Sequence, residues 1–144
     1  MAIRVKLRLR TGDREVIASA LVNSGFESEE LDVAIPVRLA KELGLWPPRE
    51  FSLEEVRTAG GSVEVYVVPN ALKVSLHEVG GREVTCNAVI DPHLDEVALC
   101  DRMIDELGIV AVSFGRGLWR HVSDKPETVR KSASREEWST CFQA

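Results

Sequence analysis

The sequence has no long apolar run, no excess of positive charge and no dense set of cysteines. None of its apolar stretches approaches the ~20 residues that a membrane-spanning helix needs, and its N-terminus has no apolar signal-peptide core. The net charge of -5 argues against a general nucleic-acid surface. The three cysteines are widely spaced, which indicates no disulfide framework. We therefore expect a cytoplasmic protein with neither a membrane nor a nucleic acid as partner.

Metal-binding and cofactor-binding motifs are also missing. Cys86, His93 and Cys100 lie at even intervals but lack the close ligand pairs of a structural zinc site. No Ser-His-Asp order and no phosphate-binding glycine loop are visible. We expect no metal and no cofactor, and we interpret Cys100 as a small buried apolar residue rather than a nucleophile.

What the sequence does contain is a series of short alternating strands separated by glycine turns. The 144 residues suffice for one domain with a true core. Strands are predicted in the following segments: 2–10, 15–22, 51–58, 62–68, 72–76, 83–90, 109–114 and 118–122. Gly60-Gly61 and Gly80-Gly81 are expected at hairpin turns.

Two short helices interrupt the strands. One begins at Pro36 and ends at Gly44, and the other is capped by Asp101 and ends at Gly108. Beyond Lys125-Pro126 the composition turns polar, so residues 123–144 are read as a tail that is compatible with a short helix around Val129, Ala133 and Trp138. The residues alone predict a mainly-β domain over 1–122, built as a barrel or a folded sheet.

A turn of small polar residues follows one of the buried strands. The run Ala20–Val22 leads into Asn23-Ser24-Gly25, and both Asn and Gly tolerate the positive φ of a tight turn. Taken alone, such a turn is an ordinary structural feature. Its place after Ala-Leu-Val resembles the Ala-Leu-(Val/Ile)-Asp-(Ser/Thr)-Gly signature of retropepsin-like aspartic proteases, with Asn23 at the position of the catalytic Asp.

Three further segments extend this resemblance over about residues 3–122. Ile35-Pro36, followed by residues 39–45 (Leu-Ala-Lys-Glu-Leu-Gly-Leu), is similar to a short segment that follows the catalytic turn in the family. Thr58-Ala59-Gly60-Gly61 stands where the family has a glycine-tipped flap. Residues 97–109 resemble the second signature, which supports the catalytic turn.

The resemblance implies a small closed β-barrel of the acid-protease type that acts as a homodimer on a peptide or protein substrate. Two carboxylates, one from each chain, would share a proton and activate a water molecule. The implied catalytic residues are those at positions 23, 24 and 25. Ser24 would hold the turn by hydrogen bonding, and Gly25 would allow the chains to approach. Ala59, Gly60 and Gly61 would cover the bound substrate.

Two residues depart from the family pattern. Asn23 replaces the catalytic Asp, and Cys100 replaces the usual Gly of the second signature. A neutral amide is not a general base, so the chain is expected to be inactive as written unless another acid substitutes; Asp32 and Asp101 are the nearest in sequence. Either Asn23 is natural and marks a pseudoenzyme, or it replaces a natural Asp. Deamidation to Asp is a third route, which a rigid turn disfavours.

Two functional hypotheses follow. The first is an aspartic endopeptidase domain whose activity depends on Asp at position 23. The second is a non-catalytic module for peptide binding or dimerisation on the same fold. They share their architecture and differ at position 23 alone.

Overall fold

The structure is a computed structural model that describes residues 1–58 and 60–139. Within these residues ten strands and two helices follow one another along the chain. They are β1 (Arg4–Thr11), β2 (Arg14–Val22), β3 (Asp32–Ile35), α1 (Val37–Glu42), β4 (Ser52–Thr58), β5 (Gly61–Leu76), β6 (Gly80–Ile90), β7 (Val97–Leu99), α2 (Asp101–Glu106), β8 (Ile109–Ser113), β9 (Leu118–His121) and β10 (Arg130–Lys131).

Six strands close into a barrel, which confirms the mainly-β prediction. Their order is β1-β2-β7-β3-β6-β5, and β5 pairs with β1 to complete the ring. The alternation predicted for β1 explains why it fits: Val5, Leu7 and Leu9 are fully buried, while Lys6 is exposed and Arg8 is partly exposed. Closure leaves these six strands few unpaired edges.

Two pairings in the barrel are parallel. β2 runs alongside β7, with Leu21 opposite Ala98, and β3 runs alongside β6. β3 and β7 are themselves antiparallel neighbours. Sequence reasoning missed β3 and interpreted β7 only as a short apolar run, because strands of three or four residues carry too little periodicity to recognise.

The hairpin of β4 and β5 extends beyond the barrel. We expected separate strands over 62–68 and 72–76, but β5 is one strand of 16 residues. Its first half pairs with β4 and its second half with β1. An irregularity between Val68 and Leu72, where Asn70 has a φ of 51°, marks the junction. The other predicted hairpin turn is displaced: it lies at residues 77–79, and Gly80 already belongs to β6.

Both predicted helices are present, but one cap differs from the prediction. α2 is capped by Cys100, whose Sγ accepts a hydrogen bond from the Met103 N–H at 3.4 Å, and Asp101 is the first helical residue. Cys100 stays extended because its own N–H donates to the Asp32 carbonyl at 3.3 Å. The helix therefore begins one residue earlier than a cap at Asp101 would give.

The described part of the tail, residues 123–139, contains turns over 123–127, then β10 and irregular chain, with no helix in it. Its backbone donors bond to the barrel instead: Ala133 N–H donates to the Arg4 carbonyl at 2.9 Å. The Glu136 carboxylate accepts a bond from the Ser19 N–H at 3.0 Å. Because the Ala133 N–H is bonded to β1, it is not available for the bond to residue i−4 that a helix needs. The tail positions from 140 onward lie outside the described residues.

Neither of the two helices, nor any other helix in the described residues, is long and apolar enough to cross a membrane.

Trp119 tests the junction between the barrel and the three-stranded sheet β10-β9-β8. Its side chain is fully buried, and its indole N–H has no hydrogen-bond partner within the described chain. Trp119→Ala is expected to lower the free energy of unfolding by about 3–5 kcal/mol, because it leaves a large cavity. Trp119→Phe should cost less, since it keeps most of the apolar contact and removes the unpaired N–H.

Urea denaturation followed by circular dichroism measures both changes. Val129→Ala, at a position that is 51% exposed, serves as the control and should shift stability by less than about 0.5 kcal/mol. Near-wild-type stability of Trp119→Ala would contradict the buried position.

Candidate functional site

The turn after β2 is held by the residue at position 23. The Asn23 side-chain Oδ1 accepts a hydrogen bond from the Gly25 N–H at 3.0 Å, and its carbonyl accepts one from the Phe26 N–H at 3.0 Å. β2 ends at buried Val22, whose N–H donates to the Ile3 carbonyl at 3.0 Å. The turn is thus an Asx-type turn on a rigid strand end, with Asn23 exposed.

Gly25 fits closely inside this turn. A Cβ atom at position 25 would lie 3.2 Å from the Asn23 Oδ1. A side chain there would press on the oxygen that closes the turn, so the absence of a side chain favours the observed geometry. The Ser24 hydroxyl has no hydrogen-bond partner in the described chain. In the single chain, Asn23 holds the turn rather than Ser24.

The start of α2 contacts the loop that follows the turn. Asp101 N–H donates to the Phe26 carbonyl at 2.9 Å, and Asp101 Oδ1 accepts from the Ser28 N–H at 3.1 Å. Because β2 and β7 are parallel, the chain leaves both strands at the same edge of the sheet. The turn and residues 97–104, which sequence reasoning linked, are thereby brought together.

Two concave surfaces adjoin the turn. The smaller, of about 270 Å³, is a cleft between the β4–β5 hairpin and loop 26–32, which we call the hairpin cleft. Its apolar lining is Phe26, Val56, Val65, Val67 and Val89. The second surface, the turn depression, has a volume of about 330 Å³ and is lined by Ala2, Leu21, Val22, Asn23, Ser24 and Phe114.

The hairpin cleft carries carboxylates and no basic side chain in its lining. The acidic residues are Glu27, Glu29, Glu30, Asp32 and Glu54. Carboxylates around an apolar floor favour a ligand with an aliphatic stem and a cationic head, such as a lysine or arginine side chain.

Asn87 organises the wall of this cleft, and sequence reasoning missed it. Asn87 is buried, with 7% of the residue exposed to solvent. The Nδ2 donates to Glu30 Oε1 at 2.8 Å and to Asp32 Oδ1 at 2.9 Å, and the Oδ1 accepts from the Asn70 N–H at 3.0 Å. The available signal was a lone amide inside the otherwise apolar end of β6.

The two nearest acids in sequence are both occupied by local structure. Asp32 accepts bonds from Asn87 and, at 2.5 Å, from the Ser28 hydroxyl. Asp101 accepts bonds from the Ser28 and Arg102 N–H groups. Each carboxylate stabilises the loop or the helix start, so neither is a free replacement for a carboxylate at position 23.

Two of the predicted flap residues, Gly60 and Gly61, lie at the tip of the β4–β5 hairpin. Gly60 lies between the two strands, and Gly61, the first residue of β5, has a φ of 119°. Neither lines the hairpin cleft, whose hairpin residues come from farther down the two strands. Ala59, the third predicted residue, lies outside the described residues.

The buried thiols are poor nucleophiles. Burial raises the pKa of the Cys86 thiol to about 12, and it also raises the pKa of the Cys100 thiol. Cys100 instead has a structural role, because its Sγ accepts from the Asp32 N–H at 3.4 Å as well as capping α2. Over residues 1–58 and 60–139, no three His, Cys, Asp or Glu side chains are grouped to hold a metal ion.

Comparison with models of known protein families gives no match, and comparison with curated proteins gives none.

We predict that the thiols of Cys86 and Cys100 are unreactive in the folded protein. In a Cys141→Ser variant, which retains only these two cysteines, Ellman's reagent at pH 8 should react at least about 100-fold more slowly before than after denaturation, because the reactive thiolate is scarce and buried. One rapidly reacting equivalent in the folded protein would contradict the assignment.

Asn87→Asp tests the wall of the hairpin cleft. The carboxyl introduced at position 87 lies beside Glu30 and Asp32, and repulsion between the negative charges raises the pKa of the new carboxyl in the folded state. The variant therefore retains its stability at low pH, where this carboxyl is protonated, and loses stability as the pH rises through the raised pKa. We expect the loss of unfolding free energy to be larger at pH 7 than at pH 4. Asn87→Ala, which removes the hydrogen bonds alone, should cost about 1–3 kcal/mol with little pH dependence. Equal pH profiles for the two variants would contradict the network.

Proposed function

We propose that the chain is a retropepsin-like domain that works as a homodimer and binds peptide, with one turn of residues 23–25 contributed by each copy. The observation that carries the proposal is the exposed carboxamide of Asn23 on a rigid strand end, its Oδ1 fixed by the Gly25 N–H at 3.0 Å. The contact between this turn's loop and the start of α2 supports it.

The chemistry proposed for the paired turns depends on the group at position 23. Aspartic-protease catalysis needs two carboxylates that share one proton, so that one acts as base and the other polarises the carbonyl. A pair of Asn23 amides has neither a base nor a proton to share. Loss of an essential catalytic group commonly costs about 10³–10⁶-fold in rate. As written, the domain would hold a peptide without cleaving it.

The turn itself is compatible with Asp. The bonds that shape it use only an oxygen acceptor at Oδ1 and the backbone carbonyl of residue 23. A carboxylate supplies the same acceptor, and a charged acceptor strengthens the bond to the Gly25 N–H. Asn23→Asp is therefore expected to keep the backbone geometry while adding the missing acid.

The hairpin cleft is the proposed place for substrate side chains. Its valines provide an apolar floor, and its carboxylates favour a cationic residue on the bound peptide. We propose peptides that carry Lys or Arg near the recognised segment. Such binding should weaken as salt is added, because the carboxylates are partly exposed and are screened.

A second candidate is a non-catalytic module for peptide binding or dimerisation. The observation in its favour is that Asp32 and Asp101, the nearest acids in sequence, are both held by loop and helix hydrogen bonds. Cys100, which caps α2 at the position of the family's usual Gly, is a further departure. In a non-catalytic module the only role of Asn23 would be to close the turn, and no carboxylate would be required at position 23.

Cleavage assays with the chain as written, Asn23→Asp and Asn23→Ala discriminate the two candidates. Mixed peptides with and without Lys or Arg are incubated from about pH 3 to 7, the range that brackets carboxylate titration. We expect cleavage by Asn23→Asp alone, with an optimum on the acidic side. Asn23→Ala is the matched control, since it removes the amide without adding an acid.

The possible results separate clearly. If all three proteins bind the basic peptides and none cleaves them, the non-catalytic module is supported. Cleavage by the chain as written would contradict the role given to position 23, provided that intact-mass measurement excludes deamidation to Asp.

A further inference from the structure

A cavity of about 310 Å³, which we call the α2 cavity, shares no lining residue with the hairpin cleft or the turn depression. The turn between β5 and β6 forms one side of it, and the ends of α2 and β9 form the other. Five apolar residues belong to its lining: Leu76, Val79, Val84, Leu107 and Val122. Its volume is at the lower end of the range that is usual for small-molecule sites.

His121, the last residue of β9, lines this cavity, and both of its ring nitrogens have partners. Its Nε2 is 3.1 Å from the Leu107 carbonyl oxygen, which can only accept a hydrogen bond. Nε2 therefore carries the ring proton, and Nδ1 of the neutral imidazole is the acceptor. The Ser123 N–H donates to Nδ1 at 3.1 Å, which agrees with this tautomer.

The Ser123 hydroxyl faces the same imidazole nitrogen. Its Oγ is 2.6 Å from His121 Nδ1 and, because Nδ1 accepts, the hydroxyl is the donor. Ser123 is exposed, so this hydroxyl is open to an electrophile from solution. A serine hydroxyl that donates to a histidine, itself oriented by a third group, is the arrangement of an activated nucleophile. Sequence reasoning found no Ser-His-Asp order, because the third group here is a backbone carbonyl and leaves no side-chain signal.

We propose that Ser123 and His121 form a second reactive site, at which Ser123 takes the acyl group of a small ester. The Oγ–H proton passes to His121 Nδ1 while the Oγ bonds to the ester carbonyl carbon. The bond from that carbon to the alcohol oxygen then breaks, and the alcohol leaves with the proton from Nδ1. Water releases the acyl group in the same way: it gives a proton to Nδ1, bonds to the carbonyl carbon and yields a carboxylic acid, while the Oγ leaves with the proton.

The surroundings of the pair favour a small apolar acyl group. The apolar residues of the α2 cavity offer it a binding surface, and Val122, which directly precedes Ser123, is 68% exposed. Arg82 and Glu106 form an ion pair that joins the two sides of the cavity. Lys125, the nearest cation to Ser123 along the chain, is exposed and has no ion-pair partner among residues 1–58 and 60–139. A positive charge there favours the negative oxygen that forms when the Oγ attacks a carbonyl.

The first test is labelling with diisopropyl fluorophosphate, which bonds to an activated serine oxygen and loses fluoride. We expect the intact mass of the full chain to rise by a single adduct, and peptide mapping should locate this adduct at Ser123. Ser123→Ala should take up none. Ser134→Ala is the matched control, because Ser134 is also exposed but its hydroxyl has no hydrogen-bond partner in the described part of the chain. This variant should be labelled like the parent.

His121→Gln tests the base. A glutamine side chain keeps an N–H for the Leu107 carbonyl but cannot take a proton from Ser123. The rate of labelling should fall by about 100-fold or more, which is the usual contribution of a general base. Hydrolysis of p-nitrophenyl acetate at Ser123 should fall with it, both in this variant and in Ser123→Ala. The melting temperature, measured by circular dichroism, should stay near that of the parent.

Three results would overturn the second site. The first is a parent protein that takes up no adduct, or takes it up as fast at Ser134 as at Ser123; His121 would then only link α2 to β9. The second is unchanged labelling of a folded His121→Gln variant. The third is loss of labelling in Asn23→Ala, since the site is separate from the turn of residues 23–25 and this variant should be labelled like the parent.

Discussion

The parallel pairing of β2 with β7 is the constraint on which the rest of the site depends. Two strands that run in the same direction end at the same edge, so the turn at Asn23 and the start of α2 at Cys100 emerge side by side. The bond from the Asp101 N–H to the Phe26 carbonyl joins the two exits. Without this pairing, the loop after the turn would lose its contact with α2.

The shape of the turn and the chemistry proposed for it depend on different atoms of residue 23. Asn23 closes the turn through an oxygen acceptor, and the same bond is available to a carboxylate. The hydrogen bond to Oδ1 fixes the backbone of the turn with either Asn or Asp. The second terminal atom, a nitrogen in Asn and an oxygen in Asp, decides whether the side chain can take up and release a proton. Asn23 therefore closes the turn without supplying a carboxylate.

Buried polar groups position the surfaces around the turn. Asn87 holds Glu30 and Asp32 from within the barrel wall, and Cys100 accepts bonds from Asp32 and Met103. These groups are almost fully enclosed, so each lost bond would leave an unpaired polar atom at a cost of about 1–3 kcal/mol. Glu30 and Asp32, in the acidic lining of the hairpin cleft, are thus held by a buried hydrogen-bond network.

The sequence by itself determined the mainly-β class, both helices and the turn, because these depend on local properties. The alternation of β1, the glycine that ends α1 and the Asn-Ser-Gly turn are all read within a few residues. Only the tertiary structure decided the closure of β1 on β5, the parallel strands β3 and β7, the merger of two predicted strands into β5, and the non-helical course of residues 123–139. Each of these depends on hydrogen bonds between residues far apart in the chain, such as Ala133 to Arg4. For the same reason the sequence did not reveal the role of Asn87, because its partners Glu30 and Asp32 are more than fifty residues away.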